Sequence, residues 1–516
     1  MVKTLFAIAI YLVVLFDEVH RSWCLVSFAY RSGDVVVVRN GRRSLLSQHQ
    51  TSAPCLISKN QRHFQKRYNP FTVSVSTRDA DQQDEQTSDR TASYKCLNDN
   101  DKKRFLIHKG RSAAMIKRSP ALAGVTLCKG WSATATAAFV AAVEETVRRN
   151  PILSGHVYEV KDRPWSSQGE LWVESGAFTP GNHSFVRIVP APNINNANKS
   201  KTLDLSTMNA TELVKYTSTE LFPLLGECKL TSKQMQDRLP LFGATLMILD
   251  DTHAVFSLKM SHCVGDGNTF FHLVKHVSMI MSGRPVAAIN WDCAAKATHE
   301  FYPDTFSNRD VQIAYGAPFL LGALKNVLLE RQHRQASYIL LDKLAVNAVK
   351  RVLRQERQRN DISSNDVITA ALCQGNRATD VFVFTENMRG KLPGIPVGAA
   401  GNFLWEVPVP REICSQPDRL RTAVATINGH GYQTNELPLQ PFVCGRVGRV
   451  TSLASIAENV LFDGVETVCT LPFASFLADI PLDVAVIFRF NKQYWAVLHN
   501  FAELNMNGLL QDAQVE

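Results

Sequence analysis

The chain has 516 residues, of which 45% are apolar and 20% charged, a balance that suits globular protein with sizeable cores and room for two or three domains. The net charge is +9, but residues 28–77 carry +7 of it (Arg31, Arg39, Arg42, Arg43, Lys59, Arg62, Lys66 and Arg67 against Asp34), so charge gives the folded body no case for binding nucleic acid. Eleven cysteines stand without any C-x-x-C pair, and Cys128, Cys373 and Cys469 lie in apolar runs, which favours buried free thiols over a disulfide framework or a zinc site.

Residues 5–16, LFAIAIYLVVLF, follow Lys3 and are too few to span a bilayer comfortably. They match the apolar region of a signal peptide covering residues 1–27, so the mature protein is expected to lack a transmembrane span. Residues 28–77 are rich in Arg, Ser and Thr and nearly free of acids, which is transit-peptide composition. A signal peptide followed by such a segment, with Phe28 at the junction, resembles the bipartite presequence of algae with secondary plastids. That implies delivery to a plastid through the secretory pathway. The alternative is the endoplasmic reticulum or secretion, with a basic spacer or a signal anchor. Residues 78–104 turn acidic (Asp79, Asp81, Asp84, Glu85, Asp89) and polar, which reads as a disordered linker, and the folded body is expected to start near Phe105.

Phe139, Val140, Val143 and Val147 repeat at helical spacing, and Pro151 stops that helix before an alternating strand at 156–160. Residues 192–236 read as loop with one helical patch near 213–225. Leu241 to Leu249 and Ala254 to Met260 read as adjacent strands joined by a turn at 250–253. Residues 285–335, with Pro285, Pro303 and Pro318, read as a crossover between an N-terminal half, 105–284, and a C-terminal half, 336–516. The second half begins with a strand at 337–341 and a helix from Lys343 to about Arg357. Ser363 then caps another helix, with Asp366 completing an acidic capping box. Further strands are expected at 381–385, 484–490 and 494–498. Alternating α and β elements in two halves point to an α/β protein with mixed sheets.

The stretch that carries chemistry is Ser261-His262-Cys263-Val264-Gly265-Asp266-Gly267, between the strand ending at Met260 and an apolar helix through Phe270, Phe271, Leu273 and Val274. A His at a strand end can serve as a general base, with Asp266 and Gly267 shaping its loop. Spacing alone equally fits a satisfied core histidine. No metal site is read: His272 and His276 are four apart but lack an H-E-x-x-H pattern. No Walker A, dinucleotide fingerprint or G-x-S-x-G elbow is present.

Five further blocks accompany the His motif. They are Val147 to Val157, Leu239 to Phe242, Asn365 to Ala370, Asn387 to Lys391 followed by Gly401-Asn402-Phe403, and Thr451-Ser452-Leu453 followed by 462–465. In this order the chain resembles the HxxxD acyl-CoA-dependent acyltransferases over roughly residues 120–500. That superfamily includes the plant BAHD enzymes, wax ester synthases and condensation domains of peptide synthetases. Ser261 stands where condensation domains have a second His, and the BAHD block DFGWG has no counterpart.

The resemblance implies two chloramphenicol acetyltransferase-like lobes with an active-site channel between them and His262 in its middle. It implies an acyltransferase moving an acyl group from acyl-CoA to the hydroxyl of a hydrophobic or secondary-metabolite alcohol, with a plastid xanthophyll as one acceptor. Acyl-CoA would be a co-substrate, with no permanently bound cofactor, and a monomer is expected. The alternatives are amide formation of the condensation type or an inactive ligand-binding member. In the family the motif Asp pairs with an Arg, which implies an Asp266–Arg389 pair supporting the catalytic loop together with Gly267. The oxyanion or channel candidates are Ser452, Thr451, Asn402 and Asn365. Ser452 reads equally as a helix N-cap, and Asn365 as a helix-starting residue. Lys343, Lys350, Arg351 and Arg354 share one helical segment but fit a solvated face as well as a coenzyme A phosphate site.

Overall fold

The computed structural model describes residues 104–515 apart from 110–112, 114–115, 118, 162–168, 176–184, 192–204, 206, 227, 292–335, 392–393, 431–446, 458–461, 473–476, 478–482, 502, 507 and 511–513. The signal-peptide, transit-segment and linker readings, and nearly all of the crossover, therefore lie outside the described residues. Among the described residues no helix is long and apolar enough to cross a membrane.

In chain order the body opens with β1 (Arg104–Lys109), β2 (Leu122–Lys129), α1 (Ala133–Arg149), β3 (His156–Lys161), β4 (Gly169–Glu174) and β5 (Val186–Val189). A helical stretch follows: α2 (Ala210–Tyr216), a π-helical turn (Thr217–Leu221), α3 (Phe222–Leu225) and α4 (Thr231–Gln236). Then come β6 (Phe242–Ile248), β7 (His253–Met260) and α5 (Gly267–Met281). After the crossover lie β8 (Ser337–Asp342), α6 (Lys343–Glu356), α7 (Ser364–Gly375), β9 (Val381–Asn387), β10 (Leu404–Pro410), α8 (Arg411–Cys414) and α9 (Pro417–His430). The chain closes with β11 (Val447–Ser452), β12 (Glu466–Pro472), β13 (Asp483–Arg489), β14 (Tyr494–His499) and β15 (Gln514–Val515).

Three sheets result: β1-β4-β3, the five-stranded β12-β2-β7-β6-β5 and the seven-stranded β10-β9-β11-β13-β14-β8-β15. Both larger sheets are mixed, with β5 parallel to β6 and β11 parallel to β9 and β13. Alternation along the strands explains the layering. Ala254, Phe256, Leu258 and Met260 of β7 face α1 and α5, packing with Phe139, Val143, Phe270 and Leu273, whereas Val255 points the other way. That second face, with Val125, Leu127 and Met247, packs on Leu340 and Ala496 of the seven-stranded sheet. The opposite face of the larger sheet carries Phe382, Ala485, Ile487 and Val497 and is covered by the helices of the C-terminal half.

The two halves are not separate in sequence. Strand β12, from the C-terminal half, pairs antiparallel with β2 at the edge of the N-terminal sheet, and its Cys469 and Leu471 are fully buried there. Helix α5 starts at the His loop because Asp266 caps it, accepting the Thr269 N–H at 3.0 Å. Helix α7 has the capping box read from Ser363 and Asp366.

Candidate active site

His262 leaves β7 two residues after Met260, where the antiparallel β6–β7 pairing ends. The Ser261 N–H donates to the Leu241 carbonyl at 2.7 Å, and its hydroxyl donates to Gln234 Oε1 at 2.5 Å, so the entry to the loop is pinned from two sides. His262 itself is half-buried, and its Nδ1 is buried without a hydrogen-bond partner. Burial pulls its pKa below the ordinary value. Its own backbone carbonyl, the Asp266 carboxylate and the Asn402 side chain oppose that shift, and the Arg449 charge adds to it.

Asp266 points away from the imidazole. Arg389 donates from both terminal nitrogens, Nη1 to Oδ2 at 2.8 Å and Nη2 to Oδ1 at 2.9 Å, and both side chains are almost fully buried. The Phe403 N–H donates to Asp266 Oδ2 at 2.9 Å, and the Asp266 N–H donates to the Gly401 carbonyl at 3.2 Å. Arg389 further donates to the carbonyls of Ala399 and Gly401 and lies 4.7 Å from the centre of the Phe403 ring. The forked geometry matches two carboxylate oxygens at once, which lysine cannot do. The pair thus ties the His loop to residues 399–403 of the other lobe.

Gly265 and Gly267 leave room for neighbours. A Cβ on Gly265 would lie 2.6 Å from Thr269 Cβ and Cγ2, and one on Gly267 would lie 2.5 Å from Leu453 Cδ2. The constraint at Gly267 is therefore contact with the segment after β11.

The oxyanion candidates fall in different places. On β11, Thr451 lies opposite Val486 and Ser452 opposite Ile487. Val486 belongs to the face turned from the helices, while Ile487 and Val450 belong to the helix-covered core. Thr451 therefore shares a face with Arg449, whose charge is felt at His262, and Ser452 points to the other face. After Ser452, residues 454–456 form a turn, and residues 458–461 of the expected helix lie outside the described residues. Asn402 sits against the loop itself: its Nδ2 donates to the His262 carbonyl at 2.9 Å. Asn365 is exposed on the first turn of α7, a helix packed among α6, α8 and α9, and is not brought to His262.

Sequence reasoning missed His108, which is 3% exposed on β1 and has Nε2 2.8 Å from the Cys263 carbonyl. It stands at the edge of the acidic linker in a short strand, RFLIHK, with no motif around it. Arg449 was missed for the same reason. On α6, Lys350 donates to Asn347 and Ser364, and Arg354 to the Ile362 carbonyl, which ties that helix to the start of α7. On α5, burial lowers the pKa of His272 and takes that of His276 down to about 4.

Neither a family model nor a curated protein matches the sequence. Solved structures match the fold. TRI101 of F. graminearum, complexed with ethyl coenzyme A, aligns with a TM-score of 0.52 at 10% identity, over 77% of this chain and 94% of its own. The same protein with coenzyme A and T-2 mycotoxin aligns at 0.51 and 10% identity, over 76% and 94%. Polyketide synthase associated protein 5 from Mycobacterium tuberculosis aligns at 0.47 and 14% identity, over 77% and 92%. With its mixed sheets flanked by helices, the described body has the two-lobed, chloramphenicol acetyltransferase-like fold.

Proposed function

We propose that the protein is an acyl-CoA-dependent acyltransferase that esterifies the hydroxyl of a small hydrophobic alcohol, with His262 as general base in a ternary complex. The observation that carries this reading is the half-buried His262, placed on a loop that Asp266 and Arg389 lock between the lobes. Burial keeps the imidazole neutral at physiological pH, so Nε2 is available to take a proton. The acceptor O–H gives its proton to His262 as its oxygen attacks the thioester carbonyl. The oxyanion forms beside the Thr451 hydroxyl and collapses, the C–S bond breaks, and the coenzyme A thiolate takes the proton back from the imidazolium. Positioned acid–base catalysis of this kind is worth about 10²–10⁴ in rate, and an oxyanion donor about 10²–10³. The coenzyme A in the TRI101 complexes supports the choice of donor.

The test is to incubate the full-length protein with acetyl-CoA and longer acyl-CoAs against matched alcohols and amines, including hydroxylated plastid pigments. Ester formation with stoichiometric thiol release is expected. Amide in place of ester would favour condensation-type chemistry. The leader reading is a separate proposal: residues 1–104 fused to a fluorescent protein are expected to reach the plastid, and accumulation in the secretory pathway would contradict it.

A further inference from the structure

We propose that Asn402 is the positioning residue that fixes the tautomer and aim of His262, and that His108 secures the same loop from β1. The kinetic consequences rest on the acyl-transfer reading, whereas the placement and the tautomer do not. Two consecutive carbonyls follow Ser261, and each is held by a side chain from elsewhere in the chain. The His262 carbonyl accepts from Asn402 Nδ2 at 2.9 Å, and the Cys263 carbonyl accepts from His108 Nε2 at 2.8 Å, with Asn402 Nδ2 also 3.3 Å away. A carbonyl at 2.8 Å requires a donor, so Nε2 of His108 carries a hydrogen. The 3.3 Å approach of Asn402 Nδ2 to that nitrogen then joins two donors and is packing only.

With its amide nitrogen committed to the loop carbonyls, Asn402 turns its Oδ1 elsewhere. That oxygen is buried without a hydrogen-bond partner, and so is Nδ1 of His262. One is an acceptor, the other a ring nitrogen that can donate, and both belong to the same loop cluster. Hydrogen bonds at catalytic groups are often long before substrate arrives. The Asn402 side chain and the His262 carbonyl both favour a proton on the imidazole, as acceptors beside it must. A hydrogen on Nδ1 leaves the Nε2 lone pair as the base. The motif carboxylate is not available for this task, because Arg389, Thr269 and Phe403 occupy both its oxygens. Of the charged groups acting on the ring, Asp266 favours its protonation and Arg449 opposes it. Asn402 thus takes the orienting part that an acidic partner plays in other His-based sites.

The experiment uses the full chain with histidines labelled by heavy nitrogen, observed by magnetic resonance, with His262→Ala assigning the signal. The expected result is a single Nδ1–H tautomer in the unaltered protein, and mixed tautomers with a lower ring pKa in Asn402→Ala. An Nε2–H tautomer in the unaltered protein overturns the proposal and needs no variant to fold. In acyl transfer from acetyl-CoA, Asn402→Ala is expected to lose about tenfold or more of kcat, with KM within about twofold and the acid limb moved to lower pH. His108→Leu is expected to lower kcat, and His108→Gln, which keeps an N–H donor, to restore most of it. Unchanged kcat and acid limb in Asn402→Ala, beside an inactive His262→Ala, overturn this inference alone. Full activity in His262→Ala overturns the acyl-transfer reading and leaves the tautomer result standing.

Discussion

Both oxygens of Asp266 are in use, by the Arg389 fork, by the Phe403 N–H and by the first turn of α5. Asp266→Asn or Arg389→Met strands a buried partner, and loss of about 3–5 kcal/mol in urea unfolding is expected. Arg389→Lys is not expected to rescue it, because one ammonium cannot serve two oxygens and two carbonyls together. The base itself gives a pH signature. Its pKa lies below the ordinary 6.5, so the imidazole stays neutral as pH falls to that value and charges only at lower pH. The acid limb of kcat/KM is therefore expected below pH 6.5, and a limb above it would contradict the environment described here. Much of this was legible from residues 261–267 and 387–391 because the resemblance tied an Asp to an Arg. His108 was not, since its link to Cys263 joins positions 155 apart and no local pattern marks it. Asn402 was noticed as an oxyanion candidate, but only coordinates could show that its amide turns to the loop carbonyls.

Strand periodicity decides between neighbours that sequence could not separate. Because β11 alternates, Thr451 lies on the face of Arg449, and Ser452 on the face of the helix-covered core. Thr451→Val keeps the shape and removes the hydroxyl, and a drop of about 10²–10³ in kcat is expected. Ser452→Ala is expected to stay near the unaltered rate, and the reverse ranking would show that the face assignment does not govern the chemistry. Elements with strong local signals were readable, among them α1 with its apolar period, the β6–β7 hairpin and the Ser363 capping box. Strands such as β5, β11 and β12 were not, because what makes them strands is their partners. β11 lies between two parallel neighbours brought in from either side in sequence. The small helix α4 sat inside a segment read as loop, yet its Gln234 receives the Ser261 hydroxyl.

Over the whole molecule, the exchange of β12 into the N-terminal sheet couples the lobes, so unfolding is expected to be cooperative across the described body. Its acid sensitivity has an identifiable source. His499 accepts the Phe501 N–H at Nδ1, 3.2 Å away, and burial takes its pKa down to about 4. The unfolded chain binds that proton near pH 6.5 and the folded one only near 4, so stability is lost as pH falls through this window. At about 1.4 kcal/mol per pKa unit, this amounts to roughly 3 kcal/mol, and His499→Asn is expected to flatten the slope of urea stability against pH. The measurement that bears most directly on function compares the full-length protein with His262→Ala in acyl transfer from acetyl-CoA to an alcohol the protein accepts. A loss of about 10²–10⁴ in kcat with the fold intact by circular dichroism is expected. Ester formed by the variant at the unaltered rate would contradict the assignment of His262 as the base.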